Sequence, residues 1–164
     1  MWEHVQKYFE KYPAQEKVAK VLINLGLSVK NSKIYCKDIE IADTALARAL
    51  SVDRRTVSST VETIISDPKL AEIFKRLEPT CTLKNVAPVM GWDMLEIVLS
   101  DTKKPGLLGK IASEIGRRGV NIRQAIGEDP QWSRGRLYII TDTKIPGDAI
   151  LTIREIEGVE NIII

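Results

Sequence analysis

The spacing of hydrophobic residues changes between the two halves of the chain, and this change constrains the fold more than any other feature. In the first half, apolar residues recur three and four positions apart, as on one face of an α-helix. From residue 94 onward, short alternating apolar segments are interspersed with helical stripes. The sequence therefore predicts an α+β chain with a helical domain at residues 1–79, a linker at 80–93 and a second domain at 94–164.

Local signals in the first half set the ends of its helices. Gly26 follows a helical stripe and is a plausible C-cap, because glycine adopts the left-handed conformation at little cost. Asp67 and Pro68 predict the start of a later short helix. Between them, the segment SVKNSK reads as a turn, and IYCKDIEI as a short strand or an extended arm.

The second half predicts the order β-α-β-β-α-β, which is that of a ferredoxin-like unit. Its predicted strands are MLEIVLS, VNIRQAIG, GRLYIITD and VENIII. Two helices separate them, one ending at Arg117, Arg118 and Gly119 and the other opening at Pro146 and Gly147. We expect both helices to pack on one face of the sheet and the other face to be free for a partner or a second copy.

Composition excludes several classes of protein. Hydrophobic residues make up 44% and charged residues 28% of the chain, which is typical of globular proteins. No apolar run approaches the length of a membrane-spanning helix, and the first residues contain no signal-peptide core. Two cysteines, Cys36 and Cys81, without CxxC spacing favour a reduced, cytoplasmic environment. We expect no membrane association.

The sequence offers few of the residues that a catalytic or metal site requires. His4 is the single histidine, so a histidine-based triad or metal centre would depend on that residue near the N-terminus. We expect a surface histidine instead, and we expect no enzyme activity, no metal and no cofactor. The net charge of +2 means that any nucleic-acid contact must come from a local patch.

The segment from Ala42 to Glu62 fits a helix-turn-helix. Ala47 supplies the small residue that close packing of two helices requires, and Ser51 supplies a small residue for the turn. Val57 supplies a branched apolar residue for the buried side of the second helix, and Asp53 is placed to cap that helix. The residues at the start of a second helix are those that such a motif presents to DNA. Here they are Arg54, Arg55, Thr56, Ser58 and Ser59.

The run LARALSVDRRTVSSTV resembles the helix-turn-helix of lac-repressor-type and other bacterial-style regulators. Their pattern is A-x-x-x-G-V-S-x-x-T-V-S, and here Ser51 replaces the glycine and Asp53 the first serine. The alternative interpretation is a structural helix pair that never contacts DNA, as found in interaction and oligomerisation domains.

Residues 97–122 resemble the opening of an ACT domain, a ferredoxin-like family that commonly binds amino acids at subunit interfaces. The matching residues occur in the hallmark order of an Asp or Asn at the end of the first strand, Pro-Gly-Leu/Val-Leu, a helix and then Gly-x-Asn-Ile. They are Asp101, Pro105, Gly106, Leu107, Leu108, Gly119, Asn121 and Ile122. The resemblance implies a ligand site formed by Asp101, Pro105, Gly106, Leu107, Leu108, Asn121 and Ile122.

Elementary chemistry agrees with an amino-acid ligand at these residues. Gly106 precedes a helix whose free N–H groups favour a carboxylate. The amide of Asn121 can both donate and accept hydrogen bonds, and Asp101 could pair with an ammonium group. Each residue has a structural alternative: a turn or cap for Asp101, a tight turn for Gly106, and a hydrogen bond to a neighbouring loop for Asn121. The loop after Asp101 also carries one residue more than the usual motif, with Lys103 and Lys104 in it.

Trp132, with Arg134 and Arg136 nearby, could form a stacking surface for nucleic acid. An exposed hairpin of mixed charge is the alternative that we favour.

The whole chain resembles a family of small archaeal proteins described as predicted regulators of amino acid metabolism. These combine an N-terminal helix-turn-helix with a C-terminal ACT domain. The resemblance implies a homodimer that binds an amino-acid effector through its ACT domains and DNA through its helix-turn-helix units. The alternative is a regulatory subunit that binds an amino acid and controls a biosynthetic enzyme by protein contact.

Overall fold

The computed structural model describes residues 1–102, 104–128 and 135–164, and the chain divides into two compact units, Met1–Cys81 and Thr82–Ile164. The described residues form seven α-helices and two antiparallel sheets, which confirms the expected α+β class. Within the described ranges, none of the helices is sufficiently long and apolar to cross a membrane.

The N-terminal unit consists of five helices and a small sheet. Glycine and proline mark the ends as expected: α2 begins at Pro13, and Gly26 caps it with a φ of 64°. Asp67 accepts hydrogen bonds from the backbone N–H groups of Lys69 and Leu70, and so begins α5. The elements are α1 (Trp2–Val5), a 3-10 turn (Gln6–Tyr8), α2 (Pro13–Leu25), β1 (Ser28–Lys30), β2 (Lys33–Cys36), β3 (Ile39–Ile41), α3 (Asp43–Leu50), α4 (Arg54–Ser66) and α5 (Pro68–Lys75).

The three-stranded sheet of this unit differs from the sequence expectation. The segment SVKNSK, expected to be a turn, forms β1, a two-residue turn and the start of β2. Asn31 and Ser32 both have positive φ, of 49° and 59°, as a tight hairpin turn requires. IYCKDIEI, read as a strand or an arm, supplies most of β2 and all of β3.

The core of the N-terminal unit draws on every part of it. Phe9 follows the first helical turns, Leu22 lies on α2, Ile34 on β2, Ile64 on α4 and Phe74 on α5, and all five are fully buried. The short sheet therefore contributes to the hydrophobic core together with the helices.

The C-terminal unit has the predicted element order. It contains β4 (Asp93–Leu99), α6 (Leu107–Arg117), β5 (Ile122–Gly127), β6 (Arg136–Thr141), α7 (Gly147–Arg154) and β7 (Val159–Ile163). The strands lie in the order β5-β6-β4-β7, and every neighbouring pair is antiparallel. The two edges of this sheet are therefore β5 and β7.

Both helices cover one face of the sheet, as the sequence predicts. Leu95 and Ile97 of β4 and Ile139 of β6 are fully buried in a cluster with α6 and α7. At the end of α6, the Arg118 side chain bonds to Glu114 and to Asp148, 3.1 Å away, and so links the two helices. These contacts raise the pKa of the Arg118 guanidinium, and the hydrogen bond that it donates to Glu114 is the main cause.

The opposite face of the sheet was expected to be free, and that expectation is wrong. Residues 82–92, which precede β4 and which we call the covering segment, pack on it. Ala87 is fully buried in a cluster with Tyr138 and Ile140 of β6, and Trp92 packs against this cluster. The pattern of the strands could not reveal this contact, because the residues that make it precede the first strand of the unit.

Two types of contact hold the covering segment in place. The Leu83 backbone N–H donates to Gln124 Oε1 at 2.8 Å. Two cations lie over aromatic rings, Arg123 over Trp92 at 4.0 Å and Lys84 over Tyr138 at 4.3 Å. Much of the segment predicted as a linker is therefore folded against β5 and β6.

Candidate functional site

Helices α3 and α4 form a helix pair joined by a three-residue turn. Ser51 caps α3 in the left-handed conformation, with a φ of 52°, at the position where a small turn residue is expected. Asp53 accepts a hydrogen bond from the Arg55 backbone N–H at 2.7 Å, which confirms its predicted role as the cap of α4. Ser51 therefore ends α3 and Asp53 begins α4, which sets the length of the turn between them.

The packing between the two helices is also as predicted. Ala47 of α3 and Val57 and Val61 of α4 are buried. Thr60, also buried, donates its hydroxyl to the Thr56 carbonyl at 2.7 Å, so no unpaired polar group enters this core. The apolar side of α4 is thus buried within the N-terminal unit, where the helix packs against α2 and α5 as well as α3.

The five candidate DNA-contacting residues separate into two groups. Arg54 and Arg55 are exposed in the first turn of α4. Thr56, Ser58 and Ser59 are half-buried, and the Ser58 hydroxyl donates to Asp43 Oδ2 at 2.9 Å. Ser58 therefore connects α4 to α3, and the two arginines are the side chains best placed for a partner.

In the C-terminal unit, the loop before α6 carries most of the candidate ligand residues. Gly106 occupies the N-cap of α6 with a φ of 80°, a conformation that favours glycine. Leu107 is buried and Leu108 is 48% exposed. Asp101 and Pro105 are exposed in the same loop. Lys103 lies outside the described residues.

An open cleft of about 520 Å³ lies beside this loop. Gly106, Leu107 and Leu108 line it, as predicted site residues. Asp101, Pro105, Asn121 and Ile122 do not line it. Its other described lining residues come from the loop, the ends of the strands and the residue after β5. They are Leu99, Thr102, Lys104, Ala125, Gly127, Glu128, Arg136 and Leu137.

Each of two basic residues of this cleft has an acidic partner. The Lys104 ammonium lies 2.6 Å from Glu157 Oε1, and this hydrogen bond lowers the pKa of the Glu157 carboxyl. The Arg136 guanidinium forms an ion pair with Glu96. A hydrogen bond with Tyr138, followed by the charge of Glu96, raises the pKa of Arg136. Arg136 therefore contributes to a local ion pair on the sheet.

Asn121 and Ile122 lie at the other end of α6 from Gly106. The 11 residues of α6 separate them, a length of about 16 Å at 1.5 Å per residue. The Asn121 amide donates to Asp142 Oδ2 at 3.2 Å, and the Asp142 backbone N–H donates to the Asn121 carbonyl at 3.2 Å. This is the loop hydrogen bond named above as the alternative to a ligand contact, and Ile122 packs against the core.

The cleft residues on β5 and β6 were not among the predicted ligand residues. Ala125 pairs with Ile139 and Gly127 with Leu137 across the two strands, so both small residues share the helix-covered face with the core. Alternation along β5 could have placed them on one face, but their position beside Gly106 depends on the order of strands in the sheet.

The remaining candidates carry no site. Trp132 and Arg134 of the suggested stacking surface lie outside the described residues. Among the residues that the structure does describe, no cluster of three or more His, Cys, Asp or Glu could hold a metal ion. His4 is exposed on α1, and Cys36 is half-buried, whereas Cys81 is exposed.

Comparisons with known proteins add little to this geometry. No family model matches the sequence, and neither does any curated protein. A solved structure described as the crystal structure of PH0061 is 17% identical, and the alignment covers 92% of this chain and 87% of that chain with a TM-score of 0.28. A TM-score of this size does not establish a common fold, so the functional argument depends on the residues of this chain.

Proposed function

We propose that this protein is a non-enzymatic, cytoplasmic regulator of amino acid metabolism. In this proposal the N-terminal unit binds DNA as a helix-turn-helix, and the C-terminal unit acts as an ACT domain that binds an amino-acid effector and forms a homodimer. The observation that carries the proposal is the α3–α4 pair, which is capped by Asp53 and exposes Arg54 and Arg55 at the start of its second helix.

The position of the two arginines supports a contact with DNA. The first residues of a recognition helix face base edges and phosphates in the major groove. Val57 and Val61 turn one side of α4 into the core, so the helix cannot rotate without exposing them. Arg55 lies on the side of α4 away from Val57 and Val61, and Arg54 is exposed because it is the first residue of the helix.

The topology of the C-terminal unit supports the ACT assignment. Its strand order places β4, the first strand, beside both β6 and β7, which is the arrangement of a ferredoxin-like unit. Gly106 and Asn121 lie at opposite ends of α6, so they can reach one ligand only when they come from two copies of the chain. This separation favours the homodimer that the resemblance implies.

The test measures DNA binding and its salt dependence. We would titrate a fluorescent random-sequence duplex with the protein at two salt concentrations, and compare it with the Arg54→Ala/Arg55→Ala variant. Two lost phosphate contacts are expected to reduce the slope of log K against log salt by roughly 1.8, at about 0.9 per phosphate. The thermal midpoint should change little, because both side chains are exposed.

A control variant separates this effect from a general loss of charge. Lys110→Ala/Arg154→Ala removes two exposed cations from the C-terminal unit and should leave the salt slope unchanged. An unaltered slope in the Arg54→Ala/Arg55→Ala variant would rule out a phosphate role for the pair.

One observation favours a second candidate function. Arg54 and Arg55 are the two cations among the 13 residues of α4, and the net charge of the chain is only +2. A surface of this kind also suits a regulatory subunit that binds an amino acid and docks on a biosynthetic enzyme. Absence of any DNA binding at low salt would favour this alternative.

A further inference from the structure

The hairpin formed by β1 and β2 carries two lysines that face each other at its tip. Lys30 and Lys33 are the last paired residues before the two-residue turn, and both are exposed. Residues directly opposite each other in antiparallel strands have Cβ atoms about 5 Å apart, and like charges at such positions destabilise the pairing. The hairpin therefore holds two positive charges together at a cost to its own stability, which a negatively charged partner would offset.

The turn between these lysines consists of polar residues in a conformation that suits glycine. Asn31 and Ser32 have φ values of 49° and 59°, and both side chains are exposed. Glycine adopts this left-handed conformation at less cost than serine does. Unlike glycine, however, asparagine and serine have side chains that donate hydrogen bonds to phosphate oxygens. Residues 30–33 thus present two cations and two neutral donors at one point of the surface.

The acidic side chains beside the two lysines are also accessible to solvent. The Lys33 ammonium lies 2.7 Å from Glu40 Oε2, and the two side chains are 54% and 49% exposed. The hydrogen bond to Glu40 raises the pKa of Lys33. An exposed pair of this kind contributes little free energy, so a phosphate can replace the carboxylate. Lys30 borders a surface pocket whose other lining residues are Glu72, Lys75, Arg76 and Glu78.

Strand pairing places the hairpin tip near the first turn of α4. The register of β2 and β3, continued by one residue, puts Lys33 opposite Ala42, the N-cap of α3. The next residue, Asp43, accepts a hydrogen bond from the Ser58 hydroxyl, which also lies 3.4 Å from the Arg54 carbonyl. These links bring the hairpin tip within about 25 Å of Arg54, or roughly seven base pairs of duplex at 3.4 Å each.

A DNA duplex offers a suitable partner at this distance, since it carries one phosphate charge per roughly 1.7 Å of its axis. We propose that the tip of the β1–β2 hairpin is a second DNA contact, which binds the phosphate backbone beside the groove that α4 occupies. Lys30 and Lys33 supply the charge, and Asn31 and Ser32 donate hydrogen bonds to phosphate oxygens. This assignment rests on the proposed function, to which it adds a separate contact surface.

The first test measures the salt dependence of duplex binding by the full-length protein. The variant Lys30→Gln/Lys33→Gln, which we call the hairpin variant, should reduce the slope of log K against log salt by roughly 1.8, at about 0.9 per lost phosphate contact. Lys30→Arg/Lys33→Arg should keep the wild-type slope. Glu40→Gln releases Lys33 from its carboxylate and should raise the affinity by up to about fivefold, the strength of an exposed ion pair.

A control variant distinguishes the hairpin tip from exposed lysines in general. Lys37→Gln/Lys69→Gln changes two exposed cations of the same unit. Lys37 lies in the turn between β2 and β3, at the end of the sheet opposite the hairpin tip, and Lys69 follows the last turn of α4. This variant should keep the wild-type slope. Thermal unfolding of every variant confirms that it is folded.

The second test measures proximity to DNA. Ser32→Cys, labelled with a photoactivatable azidophenacyl group in a Cys36→Ser/Cys81→Ser background, should form a crosslink to the duplex. Asp38→Cys, labelled in the same background, places the group in the turn at the other end of the sheet and should form at most about a tenth as much, because the tip alone faces the DNA.

Three outcomes would overturn the hairpin contact: the hairpin variant keeps the wild-type slope, the control variant lowers the slope equally, or the two labels crosslink equally. In each case, a slope that is still reduced by Arg54→Ala/Arg55→Ala would leave the proposed function standing. If the wild-type protein binds no DNA at low salt, the proposed function and the hairpin contact are both wrong.

Discussion

At the start of β6, Gly135 lies against the loop that leads to α6. A Cβ on this residue would come within 1.7 Å of Thr102 Cγ2, far closer than two carbon atoms that are not bonded to each other can approach. The Leu99 backbone N–H also donates to the Gly135 carbonyl at 2.8 Å, which fixes the two segments at this spacing. The cleft wall formed by Leu99 and Thr102 therefore depends on glycine at position 135.

We expect Gly135→Ala to destabilise the C-terminal unit by about 1–3 kcal/mol, which is typical of overpacking in a rigid environment. Urea unfolding monitored by circular dichroism measures this change. Removing the clashing methyl group in the double variant Gly135→Ala/Thr102→Ala should recover most of the loss. Equal destabilisation of the single and double variants would show that the clash with Thr102 is not its cause.

The structural roles of some residues can be predicted from their neighbours in the sequence, and those of others cannot. Asp53 and Gly106 precede helices, and the position of each at the start of its helix was predicted correctly. Gly135 is required by a contact with Thr102, which is distant in sequence. No local pattern signals a contact of this kind, so it could not be predicted from the sequence.

The stability of the first turn of helix α4 depends on its N-cap residue, Asp53. The carboxylate of Asp53 accepts the Arg55 N–H, one of the four backbone donors that the first turn of a helix leaves unpaired. Without this acceptor, the first turn would lose order, and Arg54 and Arg55 would lose their fixed direction.

We expect Asp53→Ala to lower the free energy of unfolding by about 1 kcal/mol, the usual cost of losing an N-cap. Asp53→Ser should retain most of the stability, since its hydroxyl can accept the same hydrogen bond. Thermal or urea unfolding compares the three proteins. If Asp53→Ala and Asp53→Ser are equally unstable, the carboxylate is not acting as a cap.

Elements with a long apolar stripe were predicted well, and short ones were not. All the predicted elements of the C-terminal unit are present. Helix α6 is an example of a long apolar stripe, since it presents Leu107, Ile111 and Ile115 to the core. The hairpin β1–β2 has strands of three and four residues, too short for a period to be visible. Its turn at Asn31 and Ser32 lacks the glycine that usually signals such hairpins.

For the molecule as a whole, the extent of the C-terminal unit differs most from the sequence analysis. The expected domain began at residue 94, after a linker, whereas the compact unit begins at Thr82. Ala87 of the covering segment and Tyr138 and Ile140 beneath it are buried together. The candidate site was also predicted only in part. The loop before α6 was expected to carry ligand residues, but the residues of β5 and β6 beside it are brought there by tertiary structure.

We expect a fragment of residues 82–164 to be folded and soluble. A fragment of residues 93–164 keeps every strand but exposes Tyr138 and Ile140, so it should self-associate and unfold at a lower temperature. Size-exclusion chromatography with light scattering and thermal unfolding compare the two fragments. Ala87→Asp in the longer fragment should reproduce the defect of the shorter one, and identical behaviour of all three would show that the covering segment is dispensable.

The covering segment also bears on how a unit of this kind can be inherited. Suppose that a gene rearrangement fused residues 93–164 to a different domain. The fused unit would then contain a sheet with one uncovered apolar face. A junction before codon 82 would transmit the sheet together with its own cover. Selection among such rearrangements would therefore retain the eleven residues ahead of β4 as part of the transferable unit, although their sequence reads as a connection between domains.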